Sequence, residues 1–230
     1  MNICIIPARG GSKRIPRKNI KTFAGKPMIE WSITAAINAS CFDHIVVSTD
    51  DREIAQISMR VGAEVPFIRP AELSEDYTPT GAVVRHALES LVVGHAFSDI
   101  KVCCLYATAP FVSASDIDKS LLILNSARCD FVLPVTSYAF PVQRALNLDA
   151  NGTFLEMREP VEFATRSQDL KESFHDAGQF CWGFAEAWIS GDSPFTRKTL
   201  PYFLPRFRVQ DIDTAEDWER AELLHKVIHG

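Results

Sequence analysis

Short apolar runs alternate along this chain with longer stretches in which apolar residues recur every three or four positions, the signatures of strand and amphipathic helix. Ile3 to Ile6 reads as an opening strand, and Pro27 stands where a first-turn proline would start a helix running to about Ala39. His44 to Ser48 is the next strand; Asp50 is suited to cap a helix through Arg60, and Glu64 to Ile68 reads as a further short strand. Thr80 to Val93 has a helical pattern, Lys101 to Tyr106 a strand pattern, Ser113 to Ser126 a helical one, and Phe131 to Val135 is again a strand. Such βαβ alternation predicts an α/β fold, Rossmann-like, with a mostly parallel sheet flanked by helices and joined by right-handed crossovers.

The regularity breaks after Val135. Arg144 to Leu148 and Thr153 to Met157, separated by Asp149-Ala150-Asn151-Gly152, predict a hairpin within a small arm inserted over residues 136–176. The sheet pattern resumes near Gly178 to Phe184 and again at Phe203 to Ile212, before a final helix from about Ala215 to Val227. Thr214 and Asp217 have the spacing of a capping box at its start. With 230 residues, 47% of them hydrophobic, the chain has enough apolar surface for one sizeable core, and residues 1–230 are read as a single domain carrying the arm.

Charge changes the picture at one place. Ile6-Pro7-Ala8-Arg9-Gly10-Gly11-Ser12-Lys13-Arg14-Ile15-Pro16-Arg17-Lys18-Asn19 follows the first strand with two glycines and five basic side chains, and the first acidic residue of the chain is Glu30. Gly-rich turns expose N–H groups to anions, and Lys and Arg add charge and a bidentate fork. Open α/β sheets bind ligands just beyond their strand ends, so the loop predicts a phosphate site. It is neither a Walker A loop nor a Gly-x-Gly-x-x-Gly turn.

The net charge of −5 argues against a nucleic-acid binder, which spreads positive charge over a face. Cys4, Cys41, Cys103, Cys104, Cys129 and Cys181 form no Cys-x-x-Cys pair and read as reduced core thiols of a cytoplasmic protein. No apolar run approaches a membrane span or a signal-peptide core, so no membrane partner is expected. The remaining histidines (His44, His86, His95, His225, His229) have no ligand spacing, and Trp182, Phe184 and Trp188 read as core.

The basic loop, Val47-Ser48-Thr49-Asp50-Asp51, Arg69-Pro70-Ala71-Glu72-Leu73 and Asp211-Ile212-Asp213-Thr214, in that order, resemble the cytidylyltransferases that activate nine-carbon sialic-type acids. Tyr106-Ala107-Thr108-Ala109-Pro110-Phe111, Arg166-Ser167-Gln168-Asp169-Leu170 and His175-Asp176-Ala177-Gly178-Gln179-Phe180 resemble the members that take pseudaminic acid. Tyr106-Ala107-Thr108 replaces the Gln-Pro-Thr of the sialic acid members, and Cys181 stands where pseudaminic-type relatives carry an aromatic residue.

The resemblance implies that the anomeric hydroxyl of a 2-keto sugar acid attacks the α-phosphate of CTP, giving a CMP-sugar and pyrophosphate. It implies that Arg9, Ser12, Lys13 and Lys18 hold the triphosphate, that Ala8, Gly10 and Asn19 lie at the nucleotide, and that Arg69 closes that pocket. The sugar would meet Tyr106, Thr108, Arg166, His175, Asp176 and Gln179, with Arg9, Lys13, Lys18 and Asp211 as catalytic groups. Subunits of this family exchange the arm, so a homodimer is the default. Legionaminic and N-acetylneuraminic acids stay open as substrates, and a nucleotide-binding regulatory protein without turnover is the alternative of another class.

The residues themselves support that division. Phosphoryl chemistry needs positioning and charge neutralisation more than a covalent nucleophile. Asp211 and Asp213, two apart on an expected strand end, would project to one face, and two hard oxygen donors there suit Mg²⁺. Asp-x-Asp before a helix also serves as ordinary capping and solvation. The base that takes the hydroxyl proton is left open between a metal-bound water and this aspartate pair.

Overall fold

The computed structural model describes residues 1–92, 97–191, 193–195 and 198–229. In chain order the strands are β1 (Asn2–Pro7), β2 (Thr22–Phe23), β3 (Lys26–Pro27), β4 (His44–Ser48), β5 (Lys101–Leu105), β6 (Phe131–Ser137), β7 (Leu146–Leu148), β8 (Leu155–Met157), β9 (Phe174–Asp176), β10 (Phe180–Phe184) and β11 (Thr199–Phe203). The helices are α1 (Met28–Asn38), α2 (Arg52–Val61), α3 (Thr80–Leu91), α4 (Ala114–Ser126), α5 (Ala185–Ile189) and α6 (Ala215–His229).

Seven strands form one sheet in the order β11-β6-β10-β5-β1-β4, with β9 pairing the outer end of β6. β1, β4, β5, β6 and β11 point one way, while β9 and β10 run antiparallel to their neighbours. The mostly parallel sheet therefore holds, with the return strand after the arm slotted between β5 and β6. Alternation along the strands feeds two cores. Cys4 and Ile6 pack on one face with Ile29, Ile33, Ile117 and Trp182; Ile3 and Ile5 pack on the other with Val84, Leu88 and Trp188.

A third cluster fixes the basic loop. Ile15 and Phe23 from the loop region meet Met28, Phe111, Ile212, Trp218 and Ala221, so the loop after β1 is packed against the start of α6. That packing brings together residues nearly two hundred positions apart in sequence.

Several expectations are corrected. Asp51, not Asp50, caps α2: its Oδ1 accepts from the N–H groups of Glu53 and Ile54 at 2.9 and 3.0 Å. Pro27 lies at the N-cap of α1 rather than within its first turn. Glu64 to Ile68 makes only a single bridge, Glu64 to Val46. The strand expected at Phe203 to Ile212 ends at Phe203; Pro205 follows, and Arg206–Arg208 winds into a 3-10 turn. The expected end of the third helix at Val93 lies outside the described residues.

The β7–β8 hairpin forms as expected, with Asp149 Oδ1 accepting from Thr153 and Phe154 N–H at 2.7 and 3.2 Å and Gly152 at φ +69°. The capping box at α6 also forms: Asp217 Oδ2 accepts from Thr214 N–H at 2.8 Å, and Thr214 Oγ1 from Asp217 N–H at 3.2 Å. All six cysteines are free. No helix among the described residues is long and apolar enough to cross a membrane.

Candidate active site

The C-terminal ends of β1 and β5 open onto a cavity of about 610 Å³. Arg9, Ser12, Lys13, Lys18 and Asn19 line it from the basic loop, Arg69 from the segment after β4, Tyr106 and Thr108 from the end of β5, and Asp213 from the approach to α6. Eight of the residues assigned by sequence to nucleotide or sugar thus share one cavity with one of the two metal candidates.

The loop is not the open N–H nest that its glycines suggest. Ala8 N–H donates to Ser48 O at 2.9 Å and Gly10 N–H to Asp50 Oδ1 at 2.9 Å, while Ser12 N–H turns back to Gly10 O at 3.1 Å. Gly10 is required sterically, since a Cβ there would stand 2.7 Å from Asp51 Oδ2. The cradle is therefore one of side chains.

Its cations are not bare either. Arg9 Nη1 and Lys13 Nζ each lie 2.5 Å from Asp76, Arg14 Nη2 lies 2.9 Å from Asp213, and Lys18 Nζ reaches Ile212 O at 2.6 Å and Asp213 at 3.2 Å. Arg17 pairs with Asp51 and, at 2.6 Å, with Glu53. It does not line the cavity and instead serves the α2 cap. Asn19 is buried and spans the loop by donating to Arg9 O at 2.9 Å, which fixes the backbone that carries Arg9.

Arg69 is the buried cation of the site. It is 4% exposed; its Nε donates to Ser74 Oγ at 3.1 Å, and its Nη2 has no hydrogen-bond partner, with Asp50 Oδ1 at 3.7 Å. Burial lowers its pKa, opposed by Asp50 and reinforced by Arg9. A buried guanidinium donor without a partner at a cavity wall fits an anionic or carbonyl ligand.

At the other wall Tyr106 N–H donates to Gln179 O at 2.9 Å, and Tyr106 O accepts from Ser32 Oγ at 2.8 Å. Burial raises the Tyr106 hydroxyl pKa, with Asp176 and Asp211 among the nearby charges that add to it. Gln179 is buried; its amide donates to Arg208 O at 2.6 Å, and its Oε1 has no partner. Asp176 holds the Gly178 N–H at 2.8 Å. His175 Nδ1 lies 2.8 Å from Asp176 O, and its ring packs on Tyr138.

His175, Asp176, Gln179 and Asp211 border this region without lining the main cavity, whereas Arg166 sits in the arm, 72% exposed and paired to Asp169 at 2.8 Å. Asp211 and Asp213 lie in irregular chain, so the strand-alternation argument for a shared face does not apply. They are nonetheless mutual neighbours: desolvation and then Asp213 push the Asp211 carboxyl up, and desolvation and Asp211 do the same to Asp176. A carboxyl pushed up by burial and by a second carboxylate, as Asp211 is, fits a hard divalent cation, which relieves the repulsion. Among the described residues no group of three or more His, Cys, Asp or Glu side chains forms a metal cage.

Sequence reasoning missed Asp76 and the neighbouring Glu75, Tyr77, Thr78 and Thr80 that complete the cavity. The signal available was a short acidic stretch, Glu72 to Asp76, with three acids and no basic residue in five positions.

Residues 3–179 match the model of the cytidylyltransferase family. Over 228 residues, 99% of this chain and 97% of the relative, the sequence is 43% identical to the pseudaminic acid cytidylyltransferase of Campylobacter jejuni subsp. jejuni serotype O:2. Over 225 residues, 96% of this chain and 95% of the relative, it is 30% identical to the CMP-N,N'-diacetyllegionaminic acid synthase of Legionella pneumophila subsp. pneumophila. Among solved structures, CMP:2-keto-3-deoxy-manno-octonic acid synthetase complexed with CTP superimposes with a TM-score of 0.71 at 15% identity, covering 99% of each chain, a likeness of fold.

Proposed function

The chain belongs to the cytidylyltransferase family, and from that membership we propose that it couples CTP to a nine-carbon 2-keto sugar acid, pseudaminic acid, releasing pyrophosphate. One observation carries the reading beyond kinship: the basic loop after β1, the buried Arg69 and the Tyr106–Thr108 segment line a single cavity at the strand ends. Polyphosphate and sugar acid would meet there. Identity of 43% along nearly the whole chain to a pseudaminic acid enzyme, against 30% to the legionaminic acid enzyme, favours pseudaminic acid over the alternatives.

In the reaction, the anomeric oxygen forms a bond to the α-phosphorus, the bond from that phosphorus to the α,β-bridging oxygen breaks, pyrophosphate leaves, and the hydroxyl proton is released. Arg9, Ser12, Lys13 and Lys18 hold the triphosphate and take up charge as it moves toward the leaving group. Ala8, Gly10 and Asn19 fix the loop, and Arg69 offers the nucleotide its Nη2, which has no hydrogen-bond partner. Tyr106, Thr108, Asp176 and Gln179 present polar atoms on the sugar side, with His175 beside them.

Asp211 and Asp213 would hold Mg²⁺, which when bound supplies charge neutralisation at the phosphates. Arg14 and Lys18 lie against Asp213 at 2.9 and 3.2 Å.

The arm supports a homodimer. Phe154, Leu155, Val161 and Phe163 are all more than two-thirds exposed, a large apolar area for one copy to leave in water, and a second copy covers it by symmetry. In such a pair the exposed Arg166 can serve the partner's cavity, where its guanidinium matches a sugar carboxylate.

The test is pyrophosphate release from CTP with pseudaminic, legionaminic and N-acetylneuraminic acids, with Mg²⁺ and after EDTA. The highest kcat/KM is expected for pseudaminic acid, and none is expected without divalent ion. Nucleotide binding with no release for any acid would favour a non-catalytic role.

A further inference from the structure

The turn over residues 74–79 carries an acid for which the proposed reaction has no use. Asp76 sets Oδ1 at 2.5 Å from Arg9 Nη1 and Oδ2 at 2.5 Å from Lys13 Nζ, so one carboxylate bridges two of the cations assigned to the triphosphate. Hydrogen bonds from Lys13 and then Arg9 hold its carboxyl below the usual range. The contact is made in the cavity wall, which Asp76, Glu75, Tyr77 and Thr78 all line.

The segment is anchored at both ends. Arg69 N–H donates to Thr49 O at 2.8 Å, Ser74 Oγ to Pro70 O at 3.0 Å, and Arg69 Nε to Ser74 Oγ at 3.1 Å on one side; α3 begins at Thr80 on the other. Between the anchors packing is thin, and Tyr77, next to Asp76, is 95% exposed. The two charge contacts of Asp76 therefore fasten the turn across the cradle.

Carboxylate and phosphate oxygens use the same guanidinium and ammonium donors, and two anions on one pair of cations repel. We propose that Asp76 is an internal counter-anion that closes the phosphate cradle while it is empty and is displaced, together with its turn, when a pyrophosphate or triphosphate group enters. This rests on the phosphate reading of the cavity given above. The price is affinity: every polyphosphate must first part Asp76 from Arg9 and Lys13. The gain is that the cations stay placed, and a single weakly charged anion is a poor competitor for them.

Calorimetric titration of the full chain with inorganic pyrophosphate and with CTP, in wild type, Asp76→Asn, Lys13→Ala and the double variant, tests it. Asp76→Asn is expected to bind both ligands about two- to thirtyfold more tightly, the range that two exposed ion pairs set. The gain should shrink in the Lys13→Ala background, where one of the two pairs is already gone. Equal or weaker binding by Asp76→Asn, in protein that melts like wild type, overturns the proposal and makes Asp76 a group that positions Arg9 and Lys13. If wild type binds neither ligand, the nucleotide reading itself fails and the counter-anion falls with it.

Discussion

Lys13 and Arg17 are four residues apart on one loop, and the fold gives them opposite employment. Lys13 is 80% exposed and pairs with Asp76, so its removal costs the fold little. Lys13→Ala should lower kcat/KM by about ten- to a hundredfold or more, the worth of a lost charge-assisted phosphate contact, with an unchanged melting temperature. Wild-type kinetics in that variant would remove Lys13 from the triphosphate site. Arg17, by contrast, is held in the left-handed region at φ +57° with its fork on Asp51 and Glu53. Its hydrogen bond is the chief reason the Asp51 carboxyl sits below its ordinary pKa. A depressed folded pKa contributes stability that is fully present above the unfolded value, about 3.9, and is lost as pH falls through the folded one. Asn caps a helix about as well as Asp, so Asp51→Asn isolates the charge. It should cost about 1 kcal/mol at pH 7, roughly 2–4 °C in Tm, with the gap from wild type closing below pH 4. A gap that ignores pH would mean that the ion pair contributes nothing.

At the scale of elements, β1, β4, β5 and β6 and helices α1 to α4 could be read from the sequence because those strands are mostly buried apolar runs and those helices each have one apolar face, whereas the two-residue strands β2 and β3 could not and Glu64 to Ile68 makes only one bridge. β1 shows why: Ile3, Cys4, Ile5 and Ile6 are all essentially unexposed, alternately feeding two cores. The later elements hide for physical reasons. β11 contains Pro201 and sits on the sheet edge, where a missing N–H is tolerated, so Thr199-Leu200-Pro201 does not announce a strand. The apolar residues Phe203, Phe207 and Val209, in alternating phase, suggest one instead, though Pro205 and a 3-10 turn interrupt it. β10 carries a glycine as its fourth residue for a reason visible only in three dimensions. Gly183 pairs with Phe131, and a Cβ there would meet the Phe131 ring at 2.5 Å and Trp188 Nε1 at 2.8 Å. Gly183→Ala should therefore destabilise by about 1–3 kcal/mol through overpacking, lowering the urea midpoint at unchanged m. An unchanged midpoint would show that Phe131 and Trp188 repack freely.

At the scale of the molecule, the sequence marks the basic loop as a candidate anion site, while the pairing of Asp76 and Asp213 with its cations could not be read from it. Asp76 and Asp213 reach it only because the Ile15, Phe23, Ile212 and Trp218 cluster and the segment after β4 fold onto the same strand ends. Arg166 poses the same question at longer range, since it lies in the arm and outside the cavity of its own chain. If two copies exchange arms, a site draws its cradle from one chain and Arg166 from the other. Lys13→Ala and Arg166→Ala should each be strongly impaired alone. In a mixed dimer with exchange, both lesions fall on one site and leave the other intact. Random reassociation of equal amounts makes half the dimers mixed, so activity should recover to about a quarter of wild type. Without exchange every mixed site carries one lesion, and activity stays at the level of the single variants. Sedimentation of the same samples checks that dimers are present; a dimer without recovery would assign Arg166 to its own chain, and an Arg166→Ala variant active by itself would assign it to no site.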